Sequence, residues 1–92
     1  MKASDQLRKA ADLIEQRGVQ RDTPEGERSM ARAVSAFNAI FGHHLTETEG
    51  WEFMCLLKKA RKAYGVYTAD DYEDDIAYAA LAAESESTKH GS

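Results

Sequence analysis

Ninety-two residues, 42% of them hydrophobic and 30% charged, with one proline, describe a single small folded domain. A chain of that size buries only about 60% of its unfolded surface and leans on close packing or on a partner. A net charge of −4 excludes broad nucleic-acid binding, which needs a net basic surface to displace counterions.

The first apolar pattern is Leu7, Ala10, Ala11 and Ile14, at the spacing of a helix over about residues 4–17, with Ser4 as N-cap and Gly18 as its end. This face is thin and rich in alanine, so it can dock on a core but not hold one together. Thr23 and Pro24 then read as the N-cap and first residue of a second helix, about 24–41, with Glu25 and Glu27 placed to complement its dipole. Met30, Ala33, Val34, Phe37, Ile40 and Phe41 supply its apolar stripe. Gly26 in that first turn costs helix stability, which points to a tight bend or a close approach there. A third helix, about 47–64, holds the one tryptophan and the one cysteine. Thr46 and Glu49 form a capping box at its start, and Gly65 stands where a left-handed C-terminal residue is wanted. Phe53, Leu56, Leu57, Ala60 and Tyr64 predict its core face, while Trp51, Met54 and Cys55 widen it toward a second side. On that basis Phe37, Leu56 and Leu57 are expected to face one another, and Leu57→Ala to cost about 2–5 kcal/mol. A last helix, about 69–84, has two faces of small residues, one through Tyr72, Ile76, Ala79, Ala80 and Ala83, the other through Ala77, Tyr78, Leu81 and Ala82. Residues 85–92 read as a flexible tail.

The expected fold is therefore all-α, a compact bundle of about four antiparallel helices without a sheet, one domain over 1–84. Short links favour antiparallel neighbours. Uncovered apolar faces predict a homo-oligomer. Cys55 alone cannot make an internal disulfide, and no apolar run nears the ~20 residues that a bilayer demands. The polar stretch Met1–Asp12 is unlike a signal peptide, so a cytoplasmic location is expected, with no membrane partner.

An up-down order brings the start of the second helix, the end of the third and the start of the fourth to one end. Asp22, Glu25, Glu27, Arg28, Lys58, Arg61, Asp70, Tyr72 and Asp74 are the candidate binding residues there. Arg61 is expected to pair with Asp74, and Arg28 with Asp70 or Glu25. Exposed pairs of that kind are worth about 0–1 kcal/mol each and need no function. As a site, the same end would hold magnesium on Asp70, Asp74 and Glu27, with Lys58 and Arg61 reaching for a phosphate. His43 and His44 lack further ligands at zinc spacing, and Cys55 suits a core position better than a nucleophile's.

The motifs PEGERSM (24–30), LLKKAR (56–61) and DDYEDDIAYAALAAE (70–84) resemble those of small bacteriophage and prophage proteins of unknown function, over roughly Arg17 to Glu84. That likeness implies a phage or prophage origin and no established activity. Glu49-x-x-Glu52 and Asp71-x-x-Asp74 also resemble the acidic pairs of all-helical MazG-type nucleotide pyrophosphohydrolases. Antiparallel packing would separate the two pairs by roughly 25 Å, so one metal could use both only with help from a second subunit. With no complete catalytic set, the favoured expectation is a binding protein without a cofactor, acting stoichiometrically on a host or defence factor. The alternative is a magnesium-dependent nucleotide pyrophosphohydrolase built on the charged end.

Overall fold

The computed structural model describes residues 1–21 and 29–91. They form four helices, α1 (Ala3–Arg21), α2 (Ser29–Phe41), α3 (Glu47–Tyr64) and α4 (Ala69–Lys89), packed as an all-α bundle with no strand among the described residues. The expected cap at Thr23 and Pro24, and the turn through Gly26, lie outside those residues.

The start of α3 follows its local sequence. The Thr46 hydroxyl accepts from the Glu49 N–H at 3.1 Å, and the Glu49 carboxylate accepts from the Thr46 N–H at 2.9 Å, which closes the capping box. Its end does not follow the expectation. Gly65 is extended, at φ −113° and ψ 175°, and its N–H bonds the Arg61 carbonyl at 3.0 Å, so the chain leaves α3 straight into the link to α4 without a left-handed turn. A left-handed glycine stands instead after α2, where Gly42 has φ 71°. Beside it, Asn38 bonds both ways to the backbone of Leu45, at 2.9 and 3.0 Å. This fixes the turn that leads into α3.

Two helices outrun their expected ends. α1 continues through Gly18 to Arg21, and α4 reaches Lys89 where a flexible tail was expected from residue 85. The extra turn of α4 is held from outside, because the Thr48 hydroxyl lies 2.9 Å from both the Ser85 hydroxyl and the Glu86 carboxylate. The same contacts set α3 and α4 antiparallel: Thr48 meets Ser85 at one end, and Lys62 meets Asp75 at 2.7 Å toward the other.

Among the described residues the buried apolar ones are few: Ala10, Val34, Trp51, Cys55, Ala77 and Ala82. Trp51 stacks on Tyr78 with centroids 5.8 Å apart, and Ala77 and Ala82, five residues apart, bury two sides of α4, while Ala79, Ala80 and Ala83 stay exposed. α2 seats on α3 at Gly50, where a Cβ would come 2.5 Å from the Met30 Sδ and 2.8 Å from a Val34 methyl. The stripe expected to be core on α3 is instead exposed. Phe53 is 65% accessible, Leu56 62% and Leu57 36%, and Phe37 across on α2 is 38% accessible, so the premise of a large cavity cost at Leu57 fails. The reason lies in α3 itself, which carries two stripes at helical spacing. The one through Trp51, Cys55 and Lys58 is covered by α4, whereas the one through Phe53, Leu56 and Leu57 meets α2 at Gly50, a turn before Phe53, and is open beyond it. The Cα radius of gyration, 14.1 Å, is correspondingly above the ~12 Å typical of a closed domain of this length.

The cavity cost therefore belongs to Trp51. Trp51→Ala is expected to lower stability by about 3–5 kcal/mol in urea unfolding. Gly50→Ala should cost about 1–3 kcal/mol by overpacking against Val34, against the usual helix preference for alanine. A loss below about 1 kcal/mol for Trp51→Ala would place the core elsewhere.

Candidate functional site

On the packed face of α3, Trp51, Cys55, Lys58 and Lys62 recur at i, i+4, i+7 and i+11. The stripe begins apolar and ends cationic. The face of α4 that meets it runs the other way, from Asp71, Asp74 and Asp75 to Ala77, Tyr78 and Ala82. Because the two helices are antiparallel, apolar meets apolar in one half of the seam and base meets acid in the other. On α1, Ala10, Ile14 and Arg17 repeat the change from apolar to charged at helical spacing.

These three stripes meet at Asp74. One carboxylate oxygen accepts from the Arg17 guanidinium at 3.0 Å, and the other lies 2.9 Å from Lys58 Nζ. Lys58 Nζ is also 3.8 Å from Asp71 Oδ1. Lys58 is 8% accessible and Asp74 7%, so ions occupy interior positions while Phe53 and Leu56 stand outside. Next to them Glu73, also buried, reaches Lys9 of α1 at 3.4 Å. Asp75 faces Lys62 at 2.7 Å and Lys59 at 3.0 Å. Partial burial pushes the Asp75 carboxyl up, but the hydrogen bonds and charges of Lys62 and Lys59 outweigh it and hold the group below its ordinary value. The Lys59 ammonium is raised in return, chiefly by its bond to Asp75. Burial, then the Asp75 carboxylate, pushes the Cys55 thiol up, which keeps it protonated and a poor nucleophile, in line with its core position.

A cavity of about 220 Å³ adjoins this junction. Arg17 forms part of its wall together with Met30, Trp51, Met54, Tyr78 and Leu81. Arg17 is the one charged residue among the described ones in that wall, and a mostly apolar hollow with a polar group at its edge is the usual form of a small-ligand site.

Of the residues expected here, Lys58 and Asp74 come together. Asp22, Glu25, Glu27 and Arg28 lie outside the described residues. Arg61 is exposed and does not reach Asp74; it sits off the stripe that Lys58 and Lys62 occupy, and Lys58 and Arg17 take its place. Asp70 is likewise exposed, and Asp71, one turn before Asp74, stands where it was expected. Tyr72 is half-exposed, with Lys62 Nζ 4.3 Å from its ring centroid and Tyr67 beside it. Among the described residues no group of three or more His, Cys, Asp or Glu is arranged to hold a metal. Glu49 and Glu52 belong to the end of α3 next to Thr48, far from Asp71. Arg17 was missed, and its signal was a charged residue at the next stripe position after an apolar run; Asp71 was read as half of the Asp71-x-x-Asp74 pair and not as a partner of Lys58.

A family model described as a domain of unknown function, DUF6378, matches residues 5–86, and the chain belongs to that family. No curated protein and no solved structure matches it.

Lys58→Ala would leave two carboxylates facing each other without their shared cation and is expected to cost about 3–5 kcal/mol. Arg61→Ala should change stability by no more than about 0.5 kcal/mol; equal losses for the two would contradict the junction. For Asp75, a lowered carboxyl adds stability that is complete above its unfolded value of about 3.9 and is lost as the pH falls below it. The urea midpoint of the wild type should therefore drop between about pH 4 and pH 2 more steeply than that of Asp75→Asn. Parallel acid limbs would remove Asp75 from the seam's electrostatics.

Proposed function

We propose that this member of the family is a cytoplasmic protein of phage or prophage origin that takes a nucleotide-type phosphate ester at the charged junction, in the manner of a magnesium-dependent nucleotide pyrophosphohydrolase. The observation that carries this is the ion cluster of buried Lys58 and Asp74 with the partly exposed Asp71 and Arg17, joined to a cavity through Arg17. Stability alone gives little reason to keep it, since a buried ion pair replaced by well-packed apolar residues of similar volume is often no less stable. Groups for phosphate chemistry are what such a junction offers. The Arg17 guanidinium suits a bidentate hold on phosphate oxygens, Lys58 supplies a flexible point charge, and the cavity wall of Trp51, Met30 and Met54 suits an apolar ring.

Asp71 and Asp74 converge on one ammonium, at 3.8 and 2.9 Å, so two oxygen donors are already directed at one cation. This fits magnesium, which commonly binds through one or two carboxylates plus substrate phosphates. Asp71 and Asp74 would hold it, with Glu27 as a further candidate, and its chemistry there would be to polarise a phosphoryl oxygen. The likeness of Asp71-x-x-Asp74 to one acidic pair of the MazG-type enzymes supports the same assignment.

A second function has its own observation in favour. Tyr64, Val66 and Tyr67 are highly exposed at the corner between α3 and α4, with Tyr72 beside them, as suits a protein that binds a host or defence factor stoichiometrically.

Thermal unfolding with Mg²⁺ and a panel of nucleotides separates the two. A ligand at 100 times its Kd adds about 2.7 kcal/mol, which for a domain of this size raises Tm by roughly 10–20 °C. The expected result is such a shift with at least one nucleotide and pyrophosphate release from it, both lost in Asp74→Asn while its helical circular dichroism persists. No shift with any nucleotide would leave the stoichiometric binding protein in its place.

A further inference from the structure

Opposite the face that packs on α4, and beyond the seat of α2 at Gly50, α3 carries Phe53, Leu56, Leu57, Ala60 and Tyr64 at i, i+3, i+4, i+7 and i+11. All five are at least a third accessible, and no charged residue interrupts the stripe between Phe53 and Tyr64. Taking ~100 Å² for an aliphatic and ~200 Å² for an aromatic side chain, the stripe exposes roughly 400 Å², at the level where patches on single chains become interaction sites. Ile40 and Phe41 at the end of α2 are exposed as well, at 73% and 63%. A standard interface takes about 800 Å² per partner, and a polar rim makes up such a difference.

We infer that this stripe is covered by a second copy of the chain, with the two α3 helices antiparallel about a two-fold axis passing between Leu56 and Leu57. Two features of α3 select the partner and its direction. The first is charge: flanking the exposed stripe, Glu49 and Glu52 lie in its first half and Lys59 and Arg61 in its second. Antiparallel copies set acids against bases, whereas parallel copies would set like against like. The second is register. An axis between Leu56 and Leu57 puts each Leu56 on Leu57 of the other copy and each Phe53 on Ala60, large against small, as interdigitating helices require. On the edge nearest α4 the same register brings Glu52 toward Lys59 of the other copy. An isologous contact of this kind closes as a dimer and leaves no stripe uncovered. It stands apart from nucleotide binding, since none of its residues belongs to the charged junction at Asp74.

Sedimentation at micromolar concentration should give about 20 kDa, twice the 10.2 kDa of one chain. Leu56→Glu, at an exposed position, should give a helical monomer. Direction is tested by cysteines in a Cys55→Ala background. Phe53→Cys with Ala60→Cys should crosslink the dimer under mild oxidation while neither substitution alone does. Within one helix those positions are about 10 Å apart, beyond disulfide reach. A wild type that stays at 10.2 kDa, a dimer that survives Leu56→Glu, or crosslinking through either single cysteine would each overturn the assignment. The first of these would give the stripe to a different protein, and the last would make the helices parallel.

Discussion

The arrangement of helices depends on one ammonium group. Lys58 enters the interior from the middle of α3 and meets Asp74 and Asp71 of α4, while Arg17 of α1 holds the other oxygen of Asp74. Each helix contributes a charge that would be costly to bury alone, and the cost is offset only when all are present in register. A slide of α4 along α3 by one turn would set Lys58 against Tyr78 or Asp74 against Cys55. The junction thus specifies alignment more than it adds stability, a role known for polar groups in helical interfaces.

With ions inside, the large apolar residues are distributed unusually. The seam between α3 and α4 is narrow because it is lined by alanine, cysteine and one tryptophan. α2 can lie against α3 only because Gly50 leaves room for Met30 and Val34. Close backbones favour tight local packing but bury little area per residue, so the remaining phenylalanines and leucines are displaced to the outer side of α2 and α3. Interior charge and exterior apolar surface are two results of one choice of small residues at the seams. They also separate two kinds of recognition, with a polar ligand suited to the junction and a broad apolar contact to the outer face.

Much of the fold was legible in the sequence, because helix starts and spacings are local properties. The Thr46–Glu49 box, the α3 span and the antiparallel link past Gly42 depend on neighbours within a few residues. Which of two stripes on α3 is buried is not local. Phe53, Leu56 and Leu57 have the stronger apolar pattern, but the outcome is decided by whether α2 and α4 can approach, and that depends on Gly50, Ala77 and Ala82 in three places along the chain. The site was legible in part for the same reason. Lys58 and Asp74 followed from counting which helix ends meet, while Arg61 and Asp70 were preferred to residues one position away whose stripe positions place them in the seam. Arg17 required α1 to lie on α4, and nothing in its own short apolar face states that.

The sole thiol of the chain sits at the centre of the seam, where Cys55 points its sulfur at the Asp75 carbonyl, 3.8 Å away, with the raised pKa that burial gives it. It keeps 9% of its surface, on the wall of a hollow that Glu52, Ala79 and Ala82 also line, so most of it is covered while α3 and α4 stay together, and those two helices hold the acids and bases of the junction between them. Its alkylation therefore quickens when that seam loosens, and reports on the seam rather than on fraying at the chain ends.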